Sequence, residues 1–125
     1  MARRDITGAV DFAYLETYAA GDAGVVEEVL AIFREQSAMW GRLLDPSGDV
    51  QGWRDAAHTL KGASLGIGAF GLAEICDQAE QASGAGEIDR TVLLERLTNA
   101  LEAVLADISA YTHERALQSL KTPMI

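Results

Sequence analysis

The stretch Trp53-Arg54-Asp55-Ala56-Ala57-His58-Thr59-Leu60-Lys61-Gly62-Ala63-Ser64-Leu65-Gly66-Ile67 decides how this chain folds, because its apolar residues recur every three or four positions and do not alternate. Each residue turns an α-helix by about 100°, so residues three or four apart share a face. With His58 at zero, Trp53, Ala56, Ala57, Leu60, Ala63, Ser64 and Ile67 fall between roughly 140° and 260°, one contiguous stripe for a core. Arg54, Asp55, Lys61, Gly62, Leu65 and Gly66 cluster within about 80° of the histidine. His58 is therefore offered to solvent, opposite the stripe. Gly62 and Gly66 stand four and eight positions after it, on the ridge directly beside it. A glycine inside a helix costs about 1 kcal/mol relative to alanine. Two of them next to one imidazole point to access: with no side chains there, a bulky group can approach the ring.

The same spacing extends in both directions. A short first helix is expected over about residues 11–20, stopped by Gly21, and Asp22 is placed to cap a longer second helix. In that helix Val26, Val29, Leu30, Phe33, Trp40, Leu43 and Leu44 recur at helical spacing. Asp45-Pro46-Ser47-Gly48-Asp49 ends it in a turn. The third helix carries His58 and is expected to stop around residues 66–68, since Gly66-Ile67-Gly68-Ala69-Phe70-Gly71 reads as a stop followed by a new start. A fourth follows from about Phe70, with Leu72, Ile75, Cys76, Ala79 and Ala82 at steps of three and four. Ser83-Gly84-Ala85-Gly86 breaks it, and Asp89 is expected to cap the last helix. There Leu93, Leu97, Leu101, Val104, Ile108 and Tyr111 form a long stripe, and the tail beyond about Leu120 is expected to fray. No segment shows sustained strand alternation, and the connections are short. The pattern is all-α: an up-and-down antiparallel four-helix bundle with a short additional N-terminal helix.

A chain of 125 residues makes one domain, over 1–125 with its core at about 11–120. That length holds a single helical core but not a core plus a nucleotide-binding domain, which excludes a complete kinase. The composition is 49% apolar, with two prolines and a formal charge of −9, as in an acidic globular protein. Nucleic acid is an unexpected partner, because binding it demands a basic patch that displaces counterions. No run reaches the roughly 18 apolar residues of a membrane span, and no hydrophobic region follows Met1-Ala2-Arg3-Arg4-Asp5, so neither a membrane nor a signal peptide is expected and the chain is placed in the cytoplasm. Cys76, the single cysteine, lies on an apolar stripe and reads as a packing residue. The glycines of residues 66–71 lack the Gly-Lys-Ser/Thr end of a nucleotide loop. No histidine or acidic cluster has metal-ligand spacing, and His113 stands alone near the end of the last helix, as a surface residue would. One bundle accounts for all the stripes, so a monomer is expected.

Imidazole is largely neutral at cytoplasmic pH yet nucleophilic, so an exposed histidine can take a phosphoryl group from an anhydride without a thiol or a metal. The modified ring gains negative charge and three acceptor oxygens. Lys61, one turn along on the same face, is placed to stabilise them.

The run from His58 to Leu72 follows a pattern of His-x-Leu-Lys-Gly, a small pair, then Gly-Ala and a leucine three further on, continuing into Cys76 and Glu80 and more loosely back through Phe33. On those residues the chain resembles the histidine-containing phosphotransfer, or HPt, family of two-component phosphorelays. The resemblance implies a four-helix bundle whose histidine takes a phosphoryl group from a receiver-domain aspartate or a hybrid kinase and passes it to a response regulator. His58 matches the phosphoacceptor, modified on Nε2, and Lys61 the residue that favours the phosphoryl charge. Gly62 matches the glycine that leaves room for the receiver, and Glu80 aligns with a Glu or Gln that in some members hydrogen-bonds Nδ1 and fixes the tautomer. Many members carry a polar residue where this chain has Gly66.

The partner-facing surface is expected to comprise Arg54, Gly62, Leu65 and Gly66, with exposed apolar residues from the second helix or from residues 65–70. Receiver domains and a sensor or hybrid histidine kinase are the expected partners. The Mg²⁺ and acidic pocket for in-line transfer would come from the receiver, and this chain would bind no metal or cofactor. It reads as a phosphoryl carrier without turnover of its own, not an enzyme. Two other readings compete. The dimerising histidine domain of sensor kinases normally follows its acceptor with an acidic residue, and here Thr59 follows. A helical adaptor or inhibitor that binds a kinase or receiver without carrying phosphate has no need of a nucleophile on a cleared ridge.

Overall fold

Three aspartates start three helices by the same device: the carboxylates of Asp11, Asp22 and Asp49 accept from the amides of Tyr14, Val25 and Gly52. Each satisfies one of the amide donors that a helix N-terminus leaves open. The computed structural model describes residues 6–121. Among these, the helices are α1 (Phe12–Tyr18), α2 (Ala23–Leu43), α3 (Val50–Gly66), α4 (Phe70–Gln81) and α5 (Glu87–Lys121), with no strand. α3 packs between α2 and α4, α4 packs on α5, and α2 meets α5, which closes a ring of four; α1 lies against α2. The fold is the expected all-helical bundle.

The core follows the stripes. Val26, Leu30 and Phe33 of α2 meet Trp53, Ala56, Ala57 and Leu60 of α3, Leu72, Cys76 and Ala79 of α4, and Leu97, Val104, Ile108 and Tyr111 of α5. Ala56, Ala57 and Ser64 of α3 and Ala73, Cys76 and Ala79 of α4 are all buried, and these two helices share the most extensive contact of the bundle. The α3–α4 turn fixes their register. Gly68 has φ +81°, and a Cβ there would lie 2.8 Å from the Asp11 carbonyl oxygen. The Gly68 carbonyl in turn accepts from the Asp11 amide at 3.0 Å. Only glycine meets both demands.

Three boundaries differ from expectation. Asp89 is not the cap of α5: the helix starts at Glu87, because the Gly86 carbonyl already accepts from the Arg90 amide at 3.1 Å, and Asp89 sits inside the first turn, where its charge still faces open amides. Leu43 is 53% exposed at the last position of α2, while the next residue, Leu44, turns inward. α1 stops at Tyr18, as Ala20 and Gly21 take φ of +54° and +76°. The fraying expected beyond Leu120 falls on residues 122–125, outside the described residues. The segment before α1 holds a feature that the periodicity does not show. Asp107, fully buried on α5, accepts from the Thr7 amide and hydroxyl, from the Ala9 amide at 2.7 Å and from the Val10 amide at 3.2 Å. Beside it Phe12 stacks on Tyr111 with ring centroids 4.3 Å apart, and the Tyr111 hydroxyl donates to Glu16.

Candidate functional site

Antiparallel packing of α3 on α4 brings four chemically active side chains to one surface. His58 projects from α3 with its side chain 66% exposed, and its Nδ1 lies 2.9 Å from Glu80 Oε2. Lys61, one turn later on α3, donates from Nζ to Glu80 Oε1 at 2.9 Å and to Asp77 Oδ1 at 3.2 Å. Glu80 thus uses one oxygen for the imidazole and the other for the ammonium. Asp77 and Glu80 are three residues apart, so they share the face of α4 that looks at Lys61. The backbone of Glu80 is fixed from both sides: Trp53 donates its indole N–H to the preceding carbonyl, that of Ala79, at 2.7 Å, and the Ser83 hydroxyl donates to the Glu80 carbonyl.

The charges reinforce one another. The hydrogen bond from Lys61, and secondarily that to His58, holds the Glu80 carboxyl below the usual glutamate range. The hydrogen bond to Glu80, and then that to Asp77, raises Lys61 above the usual lysine value. A carboxylate only accepts, so the ring nitrogen facing Glu80 must carry the proton. In a neutral imidazole the lone pair then lies on Nε2. Such a pairing leaves an exposed imidazole with one nitrogen, Nε2, whose lone pair is available for nucleophilic chemistry.

The neighbouring residues leave that nitrogen room. A Cβ at Gly62 or at Gly66 would meet nothing within 4 Å, so neither glycine is required by packing or backbone conformation. Leu65 and Phe70 are each 44% exposed, and Ile32 and Met39 on α2 are exposed as well. A shallow groove of about 210 Å³ runs between α2 and α3, lined by Val29, Ile32, Phe33, Gln36, Ala63 and Gly66 among others. Arg54 is exposed a turn before His58. The structure therefore brings His58, Lys61 and Glu80 together and sets Arg54, Gly62, Leu65 and Gly66 on the surface around them. Asp77 is the member that sequence reasoning missed; its three-residue spacing from Glu80 was the available signal.

Other candidates stand apart. Cys76 is buried, and burial pushes its thiol up to about 12. His113 is exposed on α5. Among the described residues no group of His, Cys, Asp or Glu could hold a metal ion, and no helix is long and apolar enough to cross a membrane.

A sequence profile of the Hpt domain matches residues 24–107. The crystal structure of the histidine phosphotransferase ShpA from Caulobacter crescentus is 54% identical and aligns with a TM-score of 0.76, covering 91% of this chain and 100% of that one. Among curated protein sequences nothing matches.

Proposed function

The chain belongs to the Hpt domain family and is a histidine phosphotransfer protein of a phosphorelay, and we propose that His58 is the residue that carries its phosphoryl group. The observation behind this assignment is the 2.9 Å contact of Nδ1 with Glu80 on a ring left 66% exposed. It reserves Nε2 for attack.

In the forward step the Nε2 lone pair attacks the phosphorus of a receiver-domain aspartyl phosphate. The P–N bond forms as the P–O bond breaks, and the aspartate leaves as a carboxylate. The proton on Nδ1 stays in place, and the ring's new positive charge is stabilised by the Glu80 carboxylate that accepts it. The same path in reverse delivers the group to a response regulator. Lys61 supports the added phosphoryl oxygens, since an ammonium is the natural partner for their charge. Mg²⁺ comes with the receiver, whose in-line transfer needs it. This chain contributes a positioned nucleophile and a surface.

Hpt phosphotransfer proteins are carriers rather than kinases, and this one is read as having no ATP site of its own. The docking face is formed by Gly62 and Gly66 with Arg54, Leu65, Ile32 and Met39, exposed apolar area that a partner can cover. The donor and acceptor are receiver domains and a sensor or hybrid histidine kinase, with the protein acting as a cytoplasmic monomer. Incubation with a phosphorylated receiver should give acid-labile, alkali-stable phosphate on the wild type and none on His58→Gln. Equal labelling of the two, or of neither, rejects the assignment.

A further inference from the structure

Lys61 is not free to serve a phosphoryl group alone. Its ammonium is already engaged by Glu80 at 2.9 Å and by Asp77 at 3.2 Å, so one positive charge faces two carboxylates beside the imidazole. Glu80 has a second task, at His58 Nδ1, that keeps it in place whether or not the ring is phosphorylated. Asp77 has none: its carboxylate makes no contact with His58, and its side chain is 48% exposed. The two carboxylates therefore differ in kind. One orients the nucleophile, and the other only occupies its cation.

We infer that Asp77 is a positioning residue that sets the phosphoryl-holding strength of His58 by competing with the phosphoryl oxygens for Lys61. A phosphoryl group adds three acceptors and further negative charge to a cluster that is already net negative. Lys61 has three N–H donors, and every bond kept to Asp77 is one withheld from phosphate. Asp77 thus holds the phosphohistidine less stable than the cluster could make it, which suits a carrier that must release the group as readily as it takes it. Releasing that N–H to a phosphoryl oxygen shifts the balance toward phosphohistidine by about three- to tenfold, the scale of one hydrogen bond exchanged between partners. This inference rests on His58 being the acceptor.

The test needs no cognate partner. Phosphoramidate transfers its phosphoryl group to a histidine nitrogen: its P–N bond breaks, a new P–Nε2 bond forms and ammonia leaves. At a fixed ratio of phosphoramidate to ammonium, the phosphorylated fraction of His58 is an equilibrium quantity readable by ³¹P NMR, with His58→Gln giving the background. Asp77→Asn is expected to raise the phospho-to-free ratio three- to tenfold, and Asp77→Glu to stay at the wild-type ratio. In a Lys61→Met background, Asp77→Asn is expected to change nothing, which a role in general structure or bulk charge would not produce. An unchanged or lowered ratio in Asp77→Asn overturns the inference, as does a rise that persists without Lys61. Wild type that labels no more than His58→Gln removes the acceptor assignment itself, and this inference with it.

Discussion

Trp53 and Glu80 are linked through one carbonyl: the buried indole N–H donates at 2.7 Å to Ala79, the residue immediately before the glutamate that holds the imidazole. Core packing and site geometry thus share a bond. Trp53→Phe keeps most of the apolar volume but leaves that buried carbonyl without its partner, and should cost about 1–3 kcal/mol in urea unfolding. Phosphotransfer to His58 should slow as well, because the α4 segment carrying Glu80 loses its anchor to α3. Stability loss with an unaltered transfer rate would show that Glu80 is held by other means.

Glu80→Gln retains an oxygen that can accept from Nδ1 but removes the charge, whereas Glu80→Ala removes both. Transfer should fall roughly tenfold or more in the alanine variant, the usual scale for losing a group that orients a histidine, and by less in the glutamine variant. Single-turnover rates from a phosphorylated receiver measure both. Equal rates in all three proteins would mean that the tautomer is set without Glu80.

The ion pair between Lys61 and Glu80 has a defined pH window. The folded state lowers Glu80 below its ordinary 4.5, so its contribution is present above that value and is lost as the pH falls through the lowered one. Lys61 is raised above 10.5, so its contribution is complete below that value and is lost as the pH rises through the raised one. The stability difference between wild type and Lys61→Met should therefore be flat from about pH 5 to 10 and shrink beyond either end. Chemical denaturation across pH reads this directly; a difference that varies through the neutral range would point to another titrating group.

Gly62→Leu separates access from chemistry. A Cβ at this position meets nothing within 4 Å, and leucine is the better helix former by up to about 1 kcal/mol, so the fold should hold or gain slightly. Transfer from a receiver domain should drop sharply, because the added side chain stands on the approach to the ring. Labelling by phosphoramidate, a donor small enough to pass, should be nearly unchanged. Loss of both reactions would place the fault in the histidine, and loss of neither would leave the glycine without a role in access.

What was legible in the sequence follows from how far each interaction reaches along the chain. The α3 stripe, the glycine ridge and the Asp22 cap depend on residues a turn or so apart, and the structure places them as the spacing predicts. Leu43 shows where periodicity over-counts, since it falls on the stripe but at a helix end, where the partner surface has run out. Asp89 has the side chain of a cap, while the helix begins earlier through the carbonyl of Gly86, which leaves no side-chain signature. The contact of Lys61 with Asp77 depends on the register that Gly68 sets between α3 and α4; the spacing from Glu80 puts both carboxylates on one face of α4 but does not say which cation they meet. Asp107 is hidden for a further reason: apart from the Thr7 hydroxyl its partners are backbone amides, which every sequence has.

Asp107 accordingly supports a prediction about stability that leaves the chemistry intact. Its carboxylate is fully buried and accepts from Thr7, Ala9 and Val10, so it ties the segment before α1 to the last helix. Asp107→Ala leaves those amides facing a void with no acceptor and should destabilise the bundle by roughly 3 kcal/mol, given the cost of unmade bonds to a charged group. His58, Lys61, Asp77 and Glu80 lie on α3 and α4, outside this tie. At a temperature where the variant remains folded, its phosphohistidine yield from phosphoramidate should match wild type. Asp107→Asn should fall between the two in stability, because its single carbonyl oxygen can accept from only part of the set and its amide adds donors where donors already converge. Urea midpoints in the order wild type, Asn, Ala would support this account, and an alanine variant as stable as wild type would show that the N-terminal segment is held by its apolar contacts alone.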